Sequence, residues 1–431
     1  MRSRAIGRGA AVLSLLLLGS ACGSSSDATG NPTGAAGASS GTTAGAAGDG
    51  TMTAGAGNQS GQPATNGGAS TNGGASANGG GSTQAEQAGM PSTSGDTPTL
   101  AGCAILPNNH LFNTPIAGFP AHESSGEFMK AVGAHNIHLD LGTTVDPQSA
   151  EYYGIPYNVV HGKTIAWQTA TFTTTDTDLD WDPTQEADCA VGAQHQLTSP
   201  CTDAAAAKPQ FPIPATPLVE GGIVTDSAQP YGDHHLLLLD ADTCSLWELY
   251  HTYRDPKAGW NIFGAAYFDL KSNALRPAGW TSADAAGFPI LPLLLRADEA
   301  SSGAIHHALR FTIDSSKIRT QYTWPARHLT GNGTGSASLP PMGQAFRIKS
   351  SFVIPSKFNS QSRAIVQALK TYGMYLADGG SSMYIQGEPS ASWAEDTFSQ
   401  VQSVSSSEFE AVDLSQIAAR AGFDPDSAAV P

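Results

Sequence analysis

The stretch Asp233–Arg254, DHHLLLLDADTCSLWELYHTYR, decides the fold that the surrounding chain is expected to adopt. Its four consecutive leucines, Leu236 to Leu239, suit a strand that is buried on both faces. The aspartates of 240–243 favour a turn, and the Trp, Tyr and Thr residues of 245–254 favour a second strand. The stretch therefore predicts a β-hairpin closed by a two-residue or a four-residue loop.

Either loop length gives the same pairing across the hairpin. His235 is then opposite Tyr250, and Glu248 lies one pair along on the same face. The imidazole has a pKa near neutral pH, and a facing carboxylate stabilises its protonated form. The three side chains therefore predict a proton-transfer group, and the alternative is a polar cross-strand pair on a solvated face.

The overall composition limits the classes of function. The chain has 431 residues and a formal net charge of −16. An acidic balance argues against nucleic acid as a partner, because nucleic acid attracts a basic stripe. No dinucleotide fingerprint or phosphate-binding loop is present, so we expect no cofactor.

Residues 1–22 have the pattern of an export signal. Arginines in the first eight residues precede a short apolar run, Ala10–Leu18, which is too short to span a membrane. The ending LLLLGSAC resembles a bacterial lipobox, in which the cysteine is lipidated, except that Gly19 stands where that motif usually has Leu. This pattern predicts a lipoprotein of the outer membrane or cell surface, anchored to the membrane through Cys22. An ordinary cleaved signal is the alternative.

Residues 23–98 are dominated by Gly, Ala, Ser, Thr and Asn and contain the repeat TNGGAS. Such a composition cannot bury enough apolar surface to offset chain entropy. It predicts a flexible linker with a reach of roughly 50 Å. This length suits either a tether that lifts a domain off a membrane or a neutral spacer.

Four cysteines follow the linker. An even number in an exported chain predicts two disulfides. We expect Cys189 to pair with Cys201 around a local loop, and Cys103 to pair with Cys244 in the hairpin. Zinc is the competing use, but no C-x-x-C pair is present.

Strand-like runs recur through residues 99–431 and are separated by Pro-rich breaks. They predict a mainly β domain of the β-sandwich or jelly-roll type, or a related barrel, with a few short helices and a short helical C-terminal tail. The clearest helix is Gln361–Tyr372, with Ser360 as a possible N-cap and Gly373 as its end. A strand at 374–377 is expected to turn at 378–380 into a second strand at 383–385.

Three further strand-like runs carry alternating polar residues. If these strands neighbour the hairpin, one sheet face carries basic and acidic groups together and suits an anionic sugar chain, whereas the alternative is ordinary solvated outer faces. The predicted substrate-binding residues are His138, Asp140, Arg310, Arg347 and Lys349. His138, Asp140 and His235 could also supply three metal ligands, but no compact metal motif exists and we expect no metal.

Several segments resemble a family of exported proteins from soil actinobacteria and myxobacteria. The resemblance covers most of residues 103–390, and within it a single hairpin His corresponds to His235. It carries no assigned activity. The segments are GIPYNVV (154–160), SNALRPAGWTSADAAGFPILP (272–292), HALRFT (307–312), YTWPARH (322–328), PPMGQAFRIK (340–349) and ALKTYGMYLADGGSSMYI (368–385).

Together these patterns predict a surface-tethered carbohydrate-active enzyme that acts on an extracellular, anionic polysaccharide. As a lyase, it would use Tyr250 or His235 to abstract a proton. As a glycoside hydrolase, it would pair Glu248 with a second carboxylate, for which Asp140 is the nearest candidate. The alternatives are a noncatalytic glycan-binding or adhesion lipoprotein and a structural envelope lipoprotein. The sequence does not indicate an oligomeric state.

Overall fold

The computed structural model describes residues 97–149, 151–173, 182–202, 205, 208–224, 232–255, 257 and 259–431. The predicted export signal, the lipidation residue Cys22 and almost all of the predicted linker lie outside the described residues.

Most of the regular structure of the domain is β-strand, so the mainly β fold class is confirmed. The strands are β1 (Thr99–Leu100), β2 (Cys103–Ala104), β3 (His138–Asp140), β4 (Tyr157–Val160), β5 (Gln168–Phe172), β6 (Cys189–Val191), β7 (Gln196–Thr198), β8 (Gln210–Phe211), β9 (Leu236–Asp240), β10 (Ser245–Tyr250), β11 (Tyr253–Arg254), β12 (Trp260–Ile262), β13 (Gly264–Asp269), β14 (Leu309–Ile313), β15 (Arg319–Tyr322), β16 (Pro341–Met342), β17 (Ala345–Ile348), β18 (Met374–Gly379), β19 (Tyr384–Gln386) and β20 (Phe409–Ala411). The α-helices are α1 (Ser125–Val132), α2 (Ala297–Ser302), α3 (Ser360–Thr371), α4 (Glu395–Gln402) and α5 (Ser415–Ala418).

The strands form three main sheets. The central sheet has four strands in the order β13-β10-β9-β4, and it contains the hairpin. The second sheet has the order β11-β12-β5-β8-β6-β7, and the third has the order β20-β17-β18-β14-β19-β3. Two short pairs, β1-β2 and β15-β16, complete the set among the described residues.

The central sheet lies between the other two, and the four leucines show why. Leu237 and Leu239 belong to the core that also contains Phe311 and Tyr375 of the third sheet. Leu236 and Leu238 belong to the core that contains residues of the second sheet such as Trp260. Alternate side chains of a strand point to opposite faces, so a strand in the middle layer needs apolar residues at every position. The predicted burial on both faces is confirmed.

The hairpin closes with the four-residue loop 241–244. Leu236 pairs with Leu249 and Asp240 pairs with Ser245 in antiparallel register. This register continues to place His235 opposite Tyr250, and their ring centroids are 5.5 Å apart. One of the two predicted loop lengths is therefore observed.

Two predictions about the C-terminal half are wrong. The N-cap of α3 is Asn359, whose side chain accepts a hydrogen bond from the Ser362 N–H at 2.8 Å, so Ser360 is the first helical residue. The strands β18 and β19 do not form a hairpin, because β14 lies between them and pairs with both. The turn at 378–380 therefore begins a connection from β18 to β19 that crosses β14.

Both predicted disulfides are present. Cys103 is bonded to Cys244, and Cys189 is bonded to Cys201. Paired cysteines indicate an oxidising, extracellular type of environment. None of the helices in the described part of the chain has the length and apolar character needed to cross a membrane.

Candidate functional site

Ionisable side chains meet where the central sheet faces the third sheet. We call this group the carboxylate niche. Its members come from the hairpin, from the turn at 219–222, from the segment 283–291 and from strands β14 and β18. They are Glu220, Asp233, His235, Tyr250, Asp284, Arg310 and Asp378.

His235 immediately precedes strand β9, and each of its ring nitrogens has an oxygen partner. Nδ1 is 2.6 Å from Glu220 Oε2, and Nε2 is 2.9 Å from the carbonyl oxygen of Ala283. Only a doubly protonated ring can donate to both. Burial lowers the pKa of His235, but the charge of Glu220, its hydrogen bond and the charge of Asp233 together outweigh burial and raise this pKa to about 9. In this arrangement His235 is a cation and does not accept a proton.

Glu220 and Asp233 flank the imidazole, and both are partly exposed. Burial raises the pKa of Glu220, but the charge of His235 and its hydrogen bonds lower this pKa below the usual value. Burial raises the pKa of Asp233 to about 6. The Tyr250 hydroxyl donates to Asp233 Oδ1 at 3.3 Å, so the phenol orients this carboxyl group.

Glu248 does not orient His235, so this part of the prediction is wrong. Its side chain shares the face of His235 and Tyr250, as expected from the register, but it is 0% exposed. The carboxylate accepts hydrogen bonds at 2.9 Å from the backbone N–H groups of Ile290 and Leu291. Burial raises the pKa of Glu248 to about 7. Glu248 thus joins the hairpin to the segment 283–291 and is sealed from substrate.

The segment 283–291 also contacts the third sheet. Asp284 Oδ2 accepts a hydrogen bond from Arg310 Nε at 2.9 Å, and both side chains are almost fully buried. Burial raises the pKa of Asp284. Arg310 therefore lies in the niche as predicted, but it pairs with a carboxylate from this segment.

Asp378 reaches the niche because of a β-bulge. In the β14–β18 pairing, Phe311 is opposite Leu376 and Thr312 is opposite Asp378, so Ala377 is an extra residue. Without it, Asp378 would point to the opposite face of the sheet. The bulge places it on the face of Arg310, where Gly379 N–H donates to Oδ1 at 2.7 Å. Burial, and then the charge of Asp284, raise the pKa of Asp378 to about 7.

Two residues beside the niche have left-handed backbone conformations. His234 has φ 45°, and His251 has φ 54°. Such conformations are costly for residues with a Cβ and concentrate at functional sites. His234 Nδ1 is 2.9 Å from the Glu220 carbonyl oxygen, which fixes the turn that carries Glu220.

Arg347 and Lys349 have structural roles away from the niche. The Arg347 guanidinium donates to the carbonyl oxygens of Ile116 and Phe119 and pairs with Glu410. Lys349 Nζ donates to the carbonyl oxygen of Ser407 at 2.8 Å. The structure therefore does not bring these two cations to the hairpin, because β17 pairs with β18 and β20.

His138 and Asp140 lie on β3, the edge strand of the third sheet and two strands from β14. His138 stacks on Tyr384 with ring centroids 4.0 Å apart. The predicted single sheet face is thus wrong, because the hairpin and these strands belong to different sheets. His138 and Asp140 therefore do not join His235 in the three-ligand arrangement that was considered and set aside on sequence grounds.

Sequence reasoning missed four carboxyl groups of the niche: Glu220, Asp233, Asp284 and Asp378. Two of them precede a glycine pair, in Glu220-Gly221-Gly222 and Asp378-Gly379-Gly380. An acidic residue before such a flexible pair was an available signal. Asp233 directly precedes the histidine pair. One nitrogen or oxygen from each of Glu220, Asp233 and His235 lies within 4.8 Å of the other two, so these residues could hold a metal ion.

Comparison of the chain with family models, with curated proteins and with solved structures finds no match. The resemblance to exported actinobacterial and myxobacterial proteins stays a prediction.

Proposed function

We propose that this chain is an exported, surface-tethered enzyme that cleaves an extracellular polysaccharide, with its catalytic centre in the carboxylate niche. The observation that carries the proposal is Asp378, a partly exposed residue whose carboxyl group is placed in the niche by a β-bulge. Its pKa near 7 suits a group that donates a proton at neutral pH. Perturbed carboxyl groups of this kind concentrate at catalytic sites.

The niche supports a hydrolase better than a lyase. A lyase that uses His235 needs a free ring nitrogen to take the proton, and both nitrogens already have oxygen partners. Tyr250 has its pKa raised well above 10 by burial and then by Asp233, so its phenol holds its proton. In a hydrolase, Asp378 protonates the departing sugar oxygen, while a second, ionised carboxylate of the niche takes a proton from the water that attacks the sugar carbon. Asp284 and Arg310 act as positioning residues because they are buried.

The test is to incubate the purified full chain with a panel of neutral and anionic polysaccharides. New reducing ends report hydrolysis, and ultraviolet absorbance of unsaturated sugars reports elimination. We expect reducing ends without the absorbance, and a loss of roughly 10²- to 10⁴-fold in kcat/KM for Asp378→Asn. The charged groups that face Asp378 are Asp233, Asp284 and Arg310, and in their presence the pKa of Asp378 is about 7. Because Asp378 must be protonated to act as an acid, the rate should fall as pH rises through about 7.

Asp314→Asn is the matched control, because Asp314 directly follows β14, lies on the surface and caps a short turn through the Ser316 N–H. Its activity should equal that of the wild type. Binding of a polysaccharide with no product would favour the noncatalytic glycan-binding alternative. Product formed equally well by Asp378→Asn would remove the niche as the catalytic centre.

A further inference from the structure

We propose that Glu220, Asp233 and His235 form a binding site for a divalent transition-metal ion. One ligand atom from each residue lies within 4.8 Å of the other two. With bonds of about 2.1 Å and tetrahedral angles, two ligand atoms of one zinc ion are about 3.4 Å apart. Side-chain rotations alone can close that difference, because Glu220 and Asp233 are partly exposed.

The donor set itself favours such an ion. Imidazole nitrogen suits zinc and its neighbours in the first transition row, and carboxylate oxygens complete a mixed set of ligands. Three protein ligands leave at least one position open for water or substrate. This is the ligand number of a catalytic metal site, whereas structural zinc sites have four protein ligands.

The second ring nitrogen of His235 has the hydrogen-bond partner that is typical of a metal-binding histidine. His235 Nε2 lies 2.9 Å from the Ala283 carbonyl oxygen, which fixes the ring and directs Nδ1 toward the two carboxylates. A metal ion at Nδ1 would displace the proton that this nitrogen donates to Glu220 in the ion-free protein, and that proton is released to solvent. Metal-bound histidines usually donate their second N–H to such a carbonyl. Tyr250 supports Asp233 through its hydroxyl group in the same way.

The surroundings contain more carboxyl groups than cations. Around His235 and Arg310, the carboxyl groups outnumber the cations. Asp284 is fully buried within electrostatic reach of His235, and its Oδ1 makes no hydrogen bond of regular geometry among the described residues, although the backbone N–H of Ala286 lies near enough to lower the pKa of this carboxyl group. A buried carboxylate oxygen without a partner is costly, and a nearby divalent cation would offset that cost.

A bound ion would also decide the class of substrate. Arg347 and Lys349 are remote, and the two cations of the niche, His235 and Arg310, are paired with the carboxylates of Glu220 and Asp284, so they are not placed to bind an anionic sugar chain. An ion with an open position would bind a sugar carboxylate directly. This consequence rests on the proposed function, whereas binding of the ion does not.

The experiment measures metal binding by the full chain without any substrate. The protein is stripped with EDTA, freed of chelator and titrated with Zn²⁺ by calorimetry, with Mn²⁺ and Ca²⁺ as comparisons. Elemental analysis gives the number of ions retained. We expect one Zn²⁺ per chain, a higher Tm on binding, and at least a tenfold loss of affinity in Asp233→Asn and in Glu220→Gln.

Asp242→Asn is the matched control, because Asp242 pairs with the exposed His161 at 2.9 Å on the hairpin turn. This variant should bind Zn²⁺ as the wild type does. Asp233 and Glu220 are partly exposed, so at least one of their variants should fold even if His235→Gln does not. The proposal would be overturned if the chain retained no stoichiometric ion. It would also be overturned if Asp233→Asn and Glu220→Gln both bound Zn²⁺ with the affinity of the wild type. Activity in the polysaccharide test is scored separately, so failure of one proposal leaves the other measurable.

Discussion

Glu248 and Asp378 are carboxyl groups whose pKa is raised to about 7 by burial, yet they have different roles. Glu248 is sealed beneath Ile290 and Leu291, whereas Asp378 is partly exposed in the niche. The hairpin register that predicts a shared face for Glu248, Tyr250 and His235 is right. The role assigned to Glu248 is wrong, because register does not show which chain segment covers the face.

Glu248→Gln should change how stability depends on pH. The raised pKa means that the folded state holds this proton more tightly than the unfolded state between pH 4.5 and about 7. Stability therefore falls as pH rises across that window, by on the order of 3 kcal/mol for this group. Asp233 and Asp378 also have raised pKa values and lower the stability as pH rises in both proteins. The prediction therefore concerns the difference in pH dependence between the wild type and Glu248→Gln. Urea unfolding from pH 4.5 to 8 should give a shallower decline for the variant.

Glu123→Gln serves as the control for this measurement, since Glu123 is exposed. Its unfolding free energy should follow the wild-type curve. Parallel curves for the wild type and Glu248→Gln would contradict the assignment of a buried, proton-holding carboxyl group.

At the scale of elements, one extra residue has a large effect on the site. The sequence predicts a strand at 374–377 and a turn at 378–380, and the strand is observed as β18 (Met374–Gly379). The bulge at Ala377 and the insertion of β14 between β18 and β19 are not visible in the sequence. They depend on which strands pair, and that pairing is a long-range choice.

The hairpin is tied to the start of the domain by Cys103–Cys244, which spans 141 residues, whereas Cys189–Cys201 spans 12. In the chain-entropy model, a longer loop loses more freedom in the unfolded state. Replacing both members of the long-range pair by serine should lower the free energy of unfolding by about 5 kcal/mol. The short-range pair should lower it by about 3 kcal/mol. Denaturant unfolding of the two double variants checks this order.

The short-range variant is the internal comparison, because both variants lose one disulfide and gain two hydroxyl groups. A larger loss for Cys189→Ser with Cys201→Ser would show that local packing, and not loop length, controls the contribution of these bonds.

At the scale of the whole molecule, the layered domain follows a segment whose sequence predicts export and lipidation. Cys22→Ala should abolish acyl labelling and release the protein from the membrane fraction of cells, because the thioether to lipid cannot form. Metabolic labelling with a fatty-acid analogue and cell fractionation measure both effects. Wild-type protein that carries no label would contradict the predicted anchor at Cys22.

Local chemistry in the sequence determined the hairpin, its register, the presence of disulfides and the mainly β class. Each depends on neighbours along the chain or on side-chain type, as in the unbroken leucines of 236–239. Only the tertiary structure decided that Glu220, Asp284 and Asp378 join His235, and that Arg347 and Lys349 do not. These residues come from turns and strands of different sheets, and the order of packing between sheets is set by long-range burial that local patterns do not encode.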